Sequence, residues 1–126
     1  MKALVIAVLG VRAVLASSAL ADVPEAYTAY PGSRQLCNEH VSGTTMHILW
    51  SSHATRDAIA KVVEHYEKGL GKKAGKADAA GARRIELDAD RHVAIYPATS
   101  NDKLPSCESK PTSGEQTIVM ISTAAR

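Results

Sequence analysis

The sequence predicts a small α+β domain, in which one largely antiparallel sheet carries a single helix on one face, in the order β-α-β-β-β. Three observations predict it. Residues 55–71 place apolar side chains at helical spacing, residues 82–98 read as a β-hairpin, and residues 117–123 form an apolar, β-branched segment. No internal repeat and no change of composition marks a second domain.

The first 21 residues have the pattern of a secretory signal. Lys2 precedes an apolar segment, and Ala19-Leu20-Ala21 provides an Ala-x-Ala cleavage site. Arg12 interrupts the apolar segment, which falls short of the roughly 20 apolar residues that cross a bilayer. We therefore expect residues 1–21 to be removed and residues 22–126 to form one secreted or periplasmic domain without a membrane anchor.

Charge and motifs argue against two broad classes of function. The chain has 15 Lys and Arg against 13 Asp and Glu, and Lys2 and Arg12 lie in the signal. The expected mature domain is therefore formally uncharged, whereas nucleic-acid-binding domains show a basic excess. We expect no nucleic-acid partner. The sequence also lacks GxSxG, HExxH, Walker and GxGxxG motifs, so we predict no catalytic activity.

The two cysteines, Cys37 and Cys107, predict one disulfide in an exported chain. Closing a loop of about 70 residues stabilises a domain by roughly 4 kcal/mol in the chain-entropy model. The competing interpretation makes Cys37 and His40 metal ligands, but it needs a free thiolate and further ligands, and one CxxH is a weak zinc signal.

The first predicted strand covers residues 44–50, where β-branched and aromatic residues nearly alternate. We expect Met46, Ile48 and Trp50 to face the helix. The opposite side of the strand then carries Thr45, His47 and Leu49.

The helix is predicted from an apolar stripe on a 3.6-residue period. Its members are Ile59, Val62, Val63, Tyr66 and Leu70. Thr55 is the expected N-cap, Asp57 the acidic residue of the first turn, and Gly69 or Gly71 the end. Residues 71–82 after the helix predict an irregular surface loop.

In the hairpin, opposite residues of an antiparallel pair share a face, so the residue numbers of each opposite pair must sum to an even value if the apolar residues are to lie on one face. We predict that Leu87 pairs with Val93 across a three-residue loop, with Asp88 opposite His92. Residues 97–116 form a long connection that Cys107 would hold, and residues 117–123 read as an inner strand.

Two binding hypotheses follow from the sheet face predicted to lie away from the helix. A candidate surface for an unknown protein or small ligand of the cell envelope consists of Leu49, Tyr96, His47, His92, Glu86 and Asp88. Alternatively, His47, His92 and Asp88 bind zinc or copper, which accept nitrogen and oxygen ligands. The leading hypothesis needs no cofactor.

The segment VVEHYEKGLG, residues 62–71, resembles a helix, VVxxYxxxLG, found in small exported bacterial proteins of unassigned function. Tyr30-Pro31-Gly32 and the C-terminal strand fit this resemblance. It implies an exported small domain and transfers no activity or site. The sequence therefore predicts a small exported, disulfide-stapled binding or interaction module, with a periplasmic or secreted metal-binding protein as the alternative.

Overall fold

The computed structural model describes residues 23–99 and 109–125, and within them one five-stranded antiparallel sheet carries one helix. The α+β class is therefore confirmed. The elements are β1 (Arg34–Ser42), β2 (His47–Thr55), α1 (Ile59–Leu70), β3 (Arg83–Glu86), β4 (Arg91–Pro97) and β5 (Thr117–Ala125). The sheet order is β1-β2-β5-β4-β3. The predicted signal and Cys107 lie outside the described residues.

The helix packs as its sequence pattern predicts. Val62, Val63, Tyr66 and Leu70 are buried against the sheet residues Ile85, Val93, Ile95 and Val119, and Ile59 is partly buried beside them. Gly71 adopts φ 68° and ends the helix, with its N–H donating to the Glu67 carbonyl. No helix of the described part is long and apolar enough to cross a membrane.

The start of the helix differs from the prediction. Ala58 occupies the N-cap position without a side-chain cap, so Thr55 as N-cap is wrong. Thr55 is instead the last residue of β2, where its Oγ1 accepts a hydrogen bond from the Asp57 N–H at 3.2 Å. The strand continues five residues beyond the predicted end at Trp50, to Thr55, where it still pairs with β5.

The segment before the sheet is fixed by hydrogen bonds from two tyrosines, one in the segment and one in the helix. The Tyr66 hydroxyl donates to the Thr28 carbonyl at 2.7 Å, and the Tyr30 hydroxyl donates to Asp57 Oδ2 at 2.5 Å. Tyr30 is itself buried in the core under the helix. Residues 23–33 are therefore packed against the domain on the side of the sheet that carries the helix.

Strand β1 was not predicted, so the order β-α-β-β-β omits the first element of the sheet. β1 pairs only with β2 among the described strands, and most of its side chains are exposed. A bulge between Gln35 and Cys37 also breaks its two-residue alternation. A polar edge strand with a bulge lacks the periodic apolar signal on which the prediction depended.

The predicted pairing of β3 with β4 is shifted by two residues, although it places the right residues together on one face. Ile85 lies opposite Val93 and Glu86 opposite His92. Asp88 is not opposite His92 because it lies in the four-residue connection between β3 and β4. Its Oδ1 accepts the backbone N–H groups of Asp90 and Arg91 at 2.9 and 3.0 Å, and its carboxylate pairs with the Arg91 guanidinium.

The face of β2 that lies toward the helix is also the reverse of the prediction. Leu49 lies opposite Thr123, which lies opposite Arg91 on β4. Arg91 is two residues from the core residue Val93, so this row shares the helix-bearing face. Ile48 and Trp50 alternate with Leu49 and lie on the other side, which we call the outer face.

The reversal has a physical reason. The outer face has an apolar cluster of its own, in which Leu36, Ala54 and Ile118 are buried and Tyr96 packs against them. β2 therefore contributes a buried apolar residue, Ala54, to the side away from the helix, where Ile48 and Trp50 are partly buried. The assumption that the more apolar side of the strand must face the helix does not hold when apolar residues are buried on both faces of a sheet.

Candidate functional site

The structure divides the predicted binding surface between the two faces of the sheet. Leu49, which is 50% exposed, and His47 lie on the helix-bearing face. His92 lies opposite Ser122, which lies opposite Trp50, so His92 belongs to the outer face. Glu86 lies opposite His92 on the same outer face, and Tyr96 is four residues along β4 from His92.

The predicted metal ligands are not brought together. His47 and His92 lie on opposite faces of the sheet, and Asp88 is engaged in its turn by Arg91. Hydrogen bonding to Arg91 lowers the pKa of Asp88 below its ordinary value. In residues 23–99 and 109–125, no group of three or more His, Cys, Asp and Glu side chains is arranged for a metal ion. Geometry therefore gives no support to a site made of these three residues.

The centre of the outer face is not an open docking surface. Ser52, Ala54 and Ile118 are all buried there, and Tyr96 is half-buried. Burial raises the pKa of the Tyr96 hydroxyl above its ordinary value. A partner would reach only the margins of this face.

Cys37, the first cysteine of the predicted disulfide, is buried in β1 on the outer face. It lies opposite Ser52 of β2. Because Cys107 is outside the described residues, the pairing of the two cysteines stays a prediction.

A polar cleft opens on the helix-bearing face, where residues 23–33 meet β1, β2 and β5. Its volume is about 390 Å³. It is lined by Tyr27, Thr28, Ala29, Gln35, Asn38, Ser51, His53 and Ile121. An adjoining depression of about 220 Å³ shares three of these residues and extends along β2 to Leu49. Together they make the candidate functional site, which we call the polar cleft.

The strand pairing explains why these residues meet. Asn38 lies opposite Ser51, and Ser51 lies opposite Ile121, so one residue from each of β1, β2 and β5 forms a row across the sheet. His53 is two residues from Ser51 and therefore on the same face, opposite Gln35. The helix covers the β3–β4 side of this face, which leaves the β1–β2 side to the cleft.

Ser51 and His53 are joined by a hydrogen bond. Ser51 Oγ and His53 Nε2 are 2.9 Å apart, and only 6% of His53 is exposed. Burial lowers the pKa of His53 below the ordinary value of a histidine, because an apolar environment disfavours the charged imidazolium. The imidazole is therefore neutral at pH 7, with one nitrogen that donates and one that accepts.

Tyr27 forms a fixed wall of the cleft. Its hydroxyl donates to the Ser122 carbonyl and lies 3.0 Å from Thr123 Oγ1. Burial raises the pKa of this hydroxyl, so it stays protonated at neutral pH. The ring is held by the sheet and offers an aromatic surface without having to be ordered on binding.

The chemistry of the cleft is uncharged. Its polar groups are two amides, hydroxyls and one neutral imidazole, all of which both donate and accept hydrogen bonds. Tyr27, Ile121 and Leu49 supply apolar surface. A concave site with few polar groups beside aromatic and aliphatic surface is the usual form of a small-molecule site, and its volume lies at the lower end of the usual range of roughly 300–1,000 Å³.

Sequence reasoning missed most of this site. Because the predicted strand ended at Trp50, His53 was expected to lie just before the helix and not on the sheet. Gln35 and Asn38 lie on β1, which was not predicted. The available signal was Ser51-x-His53, two polar residues with strand spacing after an alternating segment. Leu49 is the residue of the predicted surface that belongs to the cleft.

Comparisons with known proteins give no relative for this chain: no family profile, no curated protein and no solved structure matches it. The resemblance to small exported bacterial proteins therefore stays a prediction.

Proposed function

We propose that this chain is an exported, disulfide-stapled binding protein that holds a small, uncharged, hydroxyl-rich ligand in the polar cleft. The observation that carries the proposal is the part-buried Ser51–His53 pair beside Asn38, in a cleft whose lining has no charged side chain. Export rests on residues 1–21, and the staple is the predicted pair Cys37 and Cys107. No catalytic activity belongs to the proposal.

The ligand class follows from the donors and acceptors of the cleft. A charged ligand loses its hydration on entry and meets no opposite charge, which is costly. A ligand hydroxyl, by contrast, both donates and accepts, as do the amides, hydroxyls and imidazole that line the site. Its C–H surface has Tyr27 and Ile121 to pack against. Neutral saccharides of one or two units have this combination of groups.

Confining the proposal to binding also has a chemical reason. A serine nucleophile needs a base, a group that orients that base and donors for the oxyanion. Among the described residues, His53 is a base in contact with Ser51. The contacts of these residues show neither a group that orients His53 nor a set of oxyanion donors. The hydrogen bond to Ser51 is therefore assigned to fixing the imidazole in place for a ligand.

The test is calorimetric titration of the mature protein with neutral saccharides: glucose, galactose, N-acetylglucosamine and their disaccharides. We expect saturable binding of at least one of them. The variant Asn38→Ala with Ser51→Ala should weaken it by roughly 1–3 kcal/mol, or about 5- to 150-fold, for two lost hydrogen bonds. The control Glu86→Gln, on the outer face, should bind as the wild type does.

Each other outcome contradicts part of the proposal. If no saccharide binds, the ligand class is wrong. If binding is unchanged in the double variant, the polar cleft is not the site. A free-thiol assay under denaturing, non-reducing conditions tests the staple separately, and two reactive thiols in exported material would contradict it.

A further inference from the structure

Two histidines meet beside the turn of the hairpin formed by β1 and β2. The ring centroids of His40 and His47 are 5.3 Å apart, with 34° between the ring planes. Both side chains are exposed. This pair is separate from the predicted set of His47, His92 and Asp88, in which His92 lies on the other face of the sheet.

The backbone brings the rings together. His40 lies opposite Leu49 and Ser42 lies opposite His47, so the two histidines are diagonal neighbours on the helix-bearing face. The Gly43 N–H donates to the Met46 carbonyl at 2.8 Å and closes the turn between the strands. The two imidazoles are therefore carried by paired strands and need little further ordering to act together.

The separation of the rings suits one shared metal ion. Imidazole nitrogens bind zinc at about 2.0–2.1 Å, which places the ion roughly 3.2 Å from each ring centroid. Two centroids 5.3 Å apart then subtend roughly 115° at an ion that lies in the plane of both rings. The angle of about 90° between neighbouring ligands of tetragonal Cu²⁺ needs the two exposed rings to move about 0.8 Å closer.

Ser42 supplies a supporting contact. His47 Nδ1 and Ser42 Oγ are 3.3 Å apart. When Nδ1 carries the proton and donates to this oxygen, the lone pair of His47 lies on Nε2 and is available to a metal. A hydrogen bond from the second ring nitrogen is the usual way in which proteins orient a metal-binding histidine.

We propose that His40 and His47 form a two-histidine site for Cu²⁺, with water completing the coordination. Imidazole ligands suit copper and zinc, and the Irving–Williams order makes Cu²⁺ the more tightly bound of the two. The site shares no lining residue with the polar cleft, although His40 lies opposite Leu49, which lines the near end of the cleft. His47 and His53 are six residues apart on β2, which is about 20 Å along a strand.

The test is titration of the tag-free protein with Cu²⁺ and, separately, Zn²⁺, followed by calorimetry, with electron paramagnetic resonance of the copper form. We expect one Cu²⁺ bound per chain, nitrogen hyperfine splitting from two imidazoles, and weaker binding of Zn²⁺. His40→Asn and His47→Asn should each weaken Cu²⁺ binding roughly tenfold or more, and the double variant little further, since either change breaks the chelate. His92→Asn is the matched control and should leave binding unchanged.

The proposal is overturned if the wild type binds Cu²⁺ no more tightly than the double variant, or if the spectrum shows fewer than two nitrogen ligands. It is equally overturned if His92→Asn weakens binding as much as His40→Asn does. Circular dichroism and thermal unfolding of each variant show whether the fold is retained, and both histidines are exposed, so a loss of folding is not expected. Saccharide binding by His47→Asn distinguishes this proposal from the proposed function, because it should be unaffected.

Discussion

Removing the Tyr30 hydroxyl should destabilise the domain, because this group ties residues 23–33 to the start of the helix. It donates to Asp57 Oδ2 at 2.5 Å, and Tyr30 as a whole is 6% exposed. A hydrogen bond to a charged group contributes roughly 1.5–3 kcal/mol. The Asp57 side chain is 38% exposed and regains water after the change, so we expect Tyr30→Phe to cost about 1–2 kcal/mol.

The assay is urea unfolding followed by circular dichroism, with thermal unfolding as a second measurement. For a domain of this size the expected loss lowers Tm by roughly 5–10 °C, with an unchanged dependence of the unfolding free energy on urea. Tyr96→Phe makes the same chemical change on the outer face and should cost less.

The pH dependence gives an independent signature. Burial and the hydrogen bond to Asp57 raise the pKa of Tyr30 from 10.0 to about 12. Its contribution is therefore complete below pH 10 and is lost as the pH rises toward 12, because the unfolded chain releases this proton first. The difference in stability between wild type and Tyr30→Phe should shrink over that interval.

A double-mutant cycle decides whether the pair with Asp57 is responsible. Combining Tyr30→Phe with Asp57→Ala should cost clearly less than the sum of the single changes, by about 1 kcal/mol. Additivity within about 0.3 kcal/mol would refute the reasoning, since each residue would then act without the other.

Three further predictions concern the core and the ionisable groups. Val62 is fully buried, so Val62→Ala should cost roughly 1–3 kcal/mol in urea unfolding, and a smaller loss would contradict its place in the core. Hydrogen bonding to Arg34 lowers the pKa of Glu115 from 4.5 to about 2, so its contribution should disappear as the pH falls through that interval, and Glu115→Gln should remove this part of the acid sensitivity. Burial lowers the pKa of both His53 and His92, so the unfolded chain takes up protons first and stability should fall below about pH 6.5; the double change to Gln should flatten the profile, and an unchanged slope would refute the assignment.

The helix and the central strand were predictable because their residues carry strong, regular signals. The stripe from Ile59 to Leu70 fits a single apolar face, and Gly71 provides the left-handed residue that ends it. The apolar segment at 117–123 fits a strand buried on both sides, and β5 lies at the centre of the sheet. These features depend on local pattern alone.

The remaining errors come from choices that local pattern does not determine. The rule that opposite residues share a face allowed only every second pairing of β3 with β4. The hydrogen bonds that Asp88 accepts in the turn favour the pairing with a four-residue connection, and the sequence pattern does not reveal them. The side of β2 that faces the helix depended on the second apolar cluster around Ile118, which draws residues from four strands and the chain after β4. The candidate site was missed for the same reason, since Asn38, Ser51 and Ile121 become neighbours only through strand order.

The central claim is that the polar cleft on the helix-bearing face binds the ligand, and amide chemical-shift mapping tests it most directly. ¹⁵N-labelled protein is titrated with the saccharide that binds most tightly. The account predicts saturable shifts centred on Asn38, Ser51 and His53. Shifts centred on His92 and Tyr96 of the outer face, or none at saturating saccharide, would contradict it.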